Sequence, residues 1–171
     1  RDSDTIHSNA NITISDGEFT LASGDDGIHA DSATTISGGT IDITESYEGI
    51  EGLSIDITGG ETYVSGPTND GNSALDYNGT GTVTGGIFIA AGSSGMAENF
   101  GDSSTQGVMM VTVNSQAAGS AVSLSDSSGN ELVSWTPEKE YTSVIISCPE
   151  ITTGQELSLI HISEPTRHSL I

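Results

Sequence analysis

Three motifs in this chain fall on one period. Asp26-Gly27-Ile28-His29, Glu48-Gly49-Ile50-Glu51 and Asp70-Gly71-Asn72-Ser73 are each 22 residues apart, and Asp4-Thr5-Ile6-His7 lies 22 before the first. A fixed period of about 20–25 residues marks a solenoid, in which each repeat is one coil stacked on the next. Residues one period apart are then neighbours, about 4.8 Å apart where the coils pair as strands. Asp4, Asp26, Glu48 and Asp70 thus read as a ladder of carboxylates. Carboxylates held that closely repel by about 3–4 kcal/mol per pair at an effective dielectric of about 20. Either water screens the ladder or a cation sits in it.

Four coils and the start of a fifth share one grammar. An acidic residue and a small one precede an apolar position (Ile6, Ile28, Ile50, then Asn72), and an alternating stretch follows. A pair of glycines comes next (Gly38-Gly39, Gly59-Gly60, Gly85-Gly86; Asp16-Gly17 in the first coil), then a second alternating stretch. Glycine at such a corner suits a positive φ or a close approach of chains. Alternation with period two sends every other residue inward. The expected interior is Ile6, Ile28 and Ile50; Ile12, Ile14, Ile36 and Ile57; and Phe19, Ile41, Ile43, Val64 and Phe88. No single coil carries enough apolar surface to fold alone, so the coils must bury one another. Short strands at this period predict an all-β chain, a parallel β-helix of about 22 residues per coil. The third coil drops one residue before its glycine pair and is expected to regain it afterwards, keeping the acidic motif in register.

The repeat is read over residues 1–106, with 107–156 as a C-terminal antiparallel β cap that hides the last open coil. Asp126 to Asn130 reads as a hairpin loop, and Trp135 and Tyr141 as packing aromatics. The segment from Leu157 onward differs in composition from the rest. From Leu157 to Arg167 it resembles, residue for residue, the translation of a transposon-type sequencing-library adapter, so 157–171 is read as a non-native tail outside fold and function. The chain starts at Arg1 rather than Met, and further coils are expected ahead of it.

Charge narrows the function. Three Lys and Arg against 24 Asp and Glu give a formal net charge of −21. Phosphate-rich partners are repelled, which disfavours nucleic acid and anionic membrane surfaces. No run of 18 apolar residues suggests membrane insertion. The single cysteine, Cys148, rules out an internal disulfide and reads as a half-buried strand thiol.

The run from Gly24 to Gly52, with the later Gly92 to Asn99, resembles a bacterial family described as carbohydrate-binding domain-containing proteins of the pectate-lyase-like β-helix type. Leu124, Asp126, Gly129 and Leu132, followed by Thr136-Pro137 and Tyr141, carry the same resemblance. It implies a right-handed parallel β-helix on the bacterial cell surface, extracellular, binding plant cell-wall polysaccharide such as cellulose and polygalacturonate. It implies bound Ca2+, carried over onto Asp25, Asp26, Glu48, Glu51 and Asp70; Asp4 joins these by its place in the ladder. Asn72, where the family motif has Ile, is the departure. A monomer is expected.

Two readings of the ladder stand side by side. The carboxylates are solvated turn residues, since Asp-Gly favours turns, or hard oxygen ligands from adjacent coils enclose Ca2+. The near absence of basic residues and the doubled Asp25-Asp26 favour the cation. His7 and His29 share a ladder position and read as stacked, solvated rings, too few for a zinc site. Tyr47 and Tyr77 are the candidates to stack on sugar rings; Tyr63 is expected to point outward. Alternatives are a pectin hydrolase or lyase and a structural adhesin. A lyase needs a strong base, and neither Arg1 nor Lys139 falls in the ladder.

Overall fold

A computed structural model describes residues 3–162 and is all-β, with no helix among them. Five strands form a parallel sheet: β1 (Ile6–Ser8), β4 (Ile28–Ile36), β6 (Ile50–Ile57) and β8 (Leu75–Val83) in that order, with β2 (Ile12–Ile14) also on β4. A second parallel array runs β3 (Glu18–Ala22), β5 (Thr40–Glu45), β7 (Glu61–Ser65), β9 (Ile87–Gly92). The chain alternates between the two sheets once per turn, making a β-solenoid of about four turns with its core between them.

The glycine pairs make the corners. Gly17, Gly39, Gly60 and Gly86 all have positive φ, between 74° and 106°. Stacking adds a second demand: a Cβ on Gly60 would lie 2.7 Å from the Gly38 carbonyl carbon and the Gly39 oxygen of the coil below. Both features of the corner therefore call for glycine.

Parallel pairing stacks like on like inside. Ile28 sits over Ile6 and under Ile50, Ile36 pairs with Ile57, and Ile43 pairs with Val64, while Phe88 is an exception that stacks on Thr62. Every residue expected in the interior is in this core; only Ile6 and Phe19, in the first coil, are partly buried. Ile50 is fully buried between Ile28 and Leu75. Ile50→Ala is expected to cost about 2–5 kcal/mol, the range for a large-to-small change in a packed core. Urea denaturation checks this, and a cost below about 1 kcal/mol would contradict a shared interior.

The third coil is short where expected, with Leu53 alone between paired positions that Asp31 and Ser32 separate in the coil before. The compensation differs from expectation. The loop from Gly66 to Ala74 restores more than one residue, so Leu75, 25 positions after Ile50, takes the pairing site expected of Asn72. Burial explains the choice, because Leu75 and Val83 both enter the core fully in this register.

Strands β10 (Val108–Gln116) and β13 (Tyr141–Ser147) extend the second sheet antiparallel beyond β9. Strands β11 (Ala121–Asp126), β12 (Glu131–Trp135) and β14 (Leu157–Ile162) form a separate antiparallel sheet. Val122, Leu124 and Val133 of that sheet pack with Ile89, Ala91, Tyr141, Val144 and Ile146 in a second core. The cap thus lies along the outer side of the second sheet as well as continuing it. Tyr63 points outward as expected and is covered there by Trp135, the rings stacked with centroids 5.9 Å apart. Asp126 accepts from Ser128 N and Asn130 N in the expected hairpin loop. Cys148 is fully buried just after β13, and burial pushes its thiol up.

The open edge of the first sheet, β8, is covered by the segment that begins the fifth coil. Tyr77 N donates to Glu98, Gly101 N to Gly81 O and Thr105 N to Val83 O. Segment 157–162 pairs with the free edge of β11, its Leu157 and Leu159 against the second core. An exposed edge accepts any alternating segment, so this pairing carries no information about origin. Residues 163–171 of the expected tail lie outside the described residues.

Candidate metal and carbohydrate site

The acidic ladder forms where the chain enters the first sheet. Thr5 N donates to Asp26 O, Gly27 N to Glu48 O and Gly49 N to Ser73 O. Asp4, Asp26 and Glu48 therefore occupy successive rungs, as the period predicts. The fourth rung is Ser73 and not Asp70, a correction that follows from the enlarged 66–74 loop. Asp70 lies in that loop and accepts a hydrogen bond from Ser93 Oγ.

A second column runs beside the first on the outer face: His7, His29, Glu51 and Asp76, paired in register. Asp76 was not among the expected site residues. Its local signal is Ala74-Leu75-Asp76, which repeats the small, apolar, acidic order of Gly49-Ile50-Glu51. Glu98 completes the acidic surface, arriving from the edge-covering segment.

The two columns converge around His29. Its Nδ1 is 3.4 Å from each of Asp4 Oδ2, Asp26 Oδ2 and Glu51 Oε2. His7 Nδ1 is 2.7 Å from the same Asp4 oxygen, and the two rings meet edge to face at 5.0 Å. Asp26 N donates to Asp4 Oδ1 at 3.3 Å. Asp4, Asp25 and Asp26 offer oxygens within 4.8 Å of one another, as do Asp26, His29 and Glu51 with their donor atoms. The histidines are therefore engaged by carboxylates rather than simply solvated.

Burial and crowding make this an uncomfortable place for negative charge. Asp26 is only 5% exposed, and burial, a hydrogen bond shared with Glu51 and the charges of Glu48, Glu51 and Asp25 push its carboxyl up to about 8. Burial, then Glu51, Asp76 and Asp25, push Glu48 up to about 7, with His29 acting in the opposite direction. Asp76 is raised by burial and by Glu51, and Glu98 chiefly by burial. Among the described residues the one Lys or Arg is Lys139, whose Nζ donates to Ser46 O at 2.9 Å. Carboxylates that crowd one another without a Lys or Arg partner among the described residues fit a hard divalent cation, and their oxygens are of the kind that Ca2+ takes.

The tyrosines differ. Tyr47 is 51% exposed in the loop before Glu48. Tyr77 is half-buried against the core, and its hydroxyl donates to Asn99 O at 2.7 Å. Tyr77 nonetheless lines a cleft with Ser73, Asp76, Asn78, Met96 and Glu98. A neighbouring cleft is lined by His29, Asp31, Glu51, Gly52, Leu53 and Asn78. Asn78 belongs to both, so the acidic cluster opens onto a surface that offers polar and apolar contacts together.

No curated protein and no solved structure matches the chain. Residues 1–49 match a family model described as "carbohydrate-binding domain-containing protein". That segment holds Asp4, His7, Asp25, Asp26, His29, Tyr47 and Glu48, and the match supports carbohydrate binding.

Proposed function

We propose that this β-helix binds plant cell-wall polysaccharide, cellulose or polygalacturonate, at the bacterial cell surface without cleaving it, and that Ca2+ stabilises the binding coils. Asp4, Asp25, Asp26, Glu48 and Glu51 would hold the ion. The observation that carries this reading is the buried Asp26 carboxylate among other carboxylates, inside the segment matched by the carbohydrate-binding model. Calcium would neutralise the cluster and join neighbouring coils, and an anionic sugar such as a uronate could share it. The exposed ring of Tyr47 and the Tyr77 cleft supply the neighbouring contacts. A lyase reading is weaker, because the Lys139 ammonium that could serve as base is engaged by a backbone carbonyl.

The test is retention on insoluble cellulose and on pectate gel, with and without a chelator. Retention on at least one is expected, weakened by chelation. Retention on neither would remove the binding reading, and release of unsaturated or reducing sugars would make the protein an enzyme.

A further inference from the structure

Two histidines enter the acidic cluster, and calcium binding gives them no part. Calcium takes oxygen ligands, whereas imidazole nitrogen is a preferred ligand of zinc and related transition ions. We propose that His7 and His29, with Asp4, form a binding site for a zinc-class divalent ion, with Asp26 and Glu51 at its inner side. This goes beyond the calcium reading and does not rest on it: the two share Asp4 and Asp26, but only this one needs the imidazoles.

Two sets of distances support it. The donor atoms of Asp4, His7 and His29 lie within 4.8 Å of one another. His29 Nδ1 faces three carboxylate oxygens at the same 3.4 Å. One N–H proton points at one acceptor, while a metal ion can be shared by all of them. A separation of 3.4 Å matches the edge of a tetrahedron of roughly 2.1 Å bonds, within the range of zinc sites. It equally matches the edge of an octahedron of roughly 2.4 Å bonds, as calcium would have, so the nitrogen donors and not the distance select the ion.

The far side of the His7 ring has a hydrogen-bond acceptor, and that of His29 faces a carboxylate just beyond hydrogen-bond reach. His7 Nε2 is 2.8 Å from Asn9 Oδ1, and His29 Nε2 is 3.6 Å from Asp31 Oδ1. Metal-bound histidines donate their other N–H to such an oxygen, which leaves the facing nitrogen free as a lone pair. In His29 that nitrogen is Nδ1, which faces the carboxylates; in His7 it is also Nδ1, whose proton is held by Asp4 Oδ2 at 2.7 Å and would be displaced by the ion. The Asp26 carboxylate, more than nine-tenths buried, is aimed into the same space, where it shares a hydrogen bond with Glu51 and lies 3.4 Å from His29 Nδ1. His29 also borders the cleft with Glu51 and Leu53, which leaves a route for an ion or its fourth ligand.

Titration of the metal-free chain with Co2+, followed by visible absorption, tests this. A saturable one-to-one spectrum of a four- or five-coordinate ion is expected, displaced by Zn2+. His29→Ala should abolish it, and Asn9→Ala should weaken binding about tenfold by stripping the His7 acceptor. The Ca2+-dependent rise in melting temperature should survive His29→Ala, which separates this proposal from the calcium reading. Nitrogen NMR of the wild-type histidines covers the case in which a variant fails to fold: Zn2+ must shift the Nδ1 signals of His7 and His29. Absence of stoichiometric Co2+ binding, a spectrum unchanged in His29→Ala, or unmoved His7 and His29 signals would overturn the site.

Discussion

Replacing Gly60 by Ala is expected to lower the urea midpoint far more than the same change at Gly129. Both glycines have positive φ, 74° and 83°. The conformational part of the cost, about 1–2 kcal/mol for a left-handed residue, is therefore common to both. What differs is the surroundings. A Cβ at Gly129 meets nothing within 4 Å, whereas one at Gly60 meets the backbone of Gly38 and Gly39 at 2.7 Å. Backbone cannot rotate away as a side-chain tip can, so the coils must separate locally and the strand ladders on either side of the corner are strained. The same contact recurs one coil higher, where a Cβ on Gly86 would lie 2.6 Å from the Gly59 carbonyl carbon and the Gly60 oxygen. Displacing Gly60 therefore disturbs the corner above and below it. Equal costs at the two positions would mean that the corners tolerate separation and that coil stacking is looser than the register indicates.

The second large effect is a change of sign at Asp26. Without divalent ions, Asp26→Asn is expected to raise the melting temperature near pH 8; with Ca2+ in excess, the variant should melt below the wild type. The folded-state carboxyl sits at about 8 against an ordinary value of 3.8. A carboxyl raised on folding binds its proton more tightly in the native state, so stability falls as pH rises from the unfolded value towards the folded one. In the metal-free wild type the contribution of this group is thus fully present below about pH 3.8, is lost as pH rises through about 8 and changes little above that. Glu48, raised to about 7, adds to the same trend. Asn keeps the shape without the charge and escapes the loss. Calcium reverses the balance, because an ion bound only by the native state stabilises by mass action, about 2.7 kcal/mol at a hundredfold excess over its dissociation constant. Thermal melts of wild type and variant at pH 5 and pH 8, with chelator and with Ca2+, give the values needed. A variant that shifts in the same direction with and without calcium would remove Asp26 from the ion's ligands.

Much of the solenoid is legible residue by residue. The glycine pairs mark the corners, and the alternating Ile and Val positions mark the interior, because parallel stacking makes each coil solve the same packing problem as its neighbour. The site is legible only in its first three rungs. Asp4, Asp26 and Glu48 fall where the period puts them, but Asp76 replaces Asp70 as the next acidic group on this surface. The 66–74 loop is rich in Gly, Asn and Asp, as turns commonly are, and composition does not show how many residues it adds. Register is settled instead by which side chains the paired strand buries, and Leu75 fills the core where Asn72 could not.

The histidines show the same division. Their shared ladder position is plain from the 22-residue spacing, but spacing does not tell an exposed stack from a ligand set. That depends on the neighbouring column and on the Asn9 and Asp31 oxygens behind the rings. The placement of the cap is likewise tertiary, since an amphipathic sheet can close an end or cover a side; here Tyr63, Ile87 and Ile89 on the outer face of the second sheet drew it sideways. The sequence alone therefore determined the repeat, its corners, its interior and the first acidic rungs, because those features are local and recur each turn. The tertiary structure decided the fourth rung, the cap's seat and the convergence of histidines with carboxylates, because each depends on which surfaces, distant along the chain, are buried together.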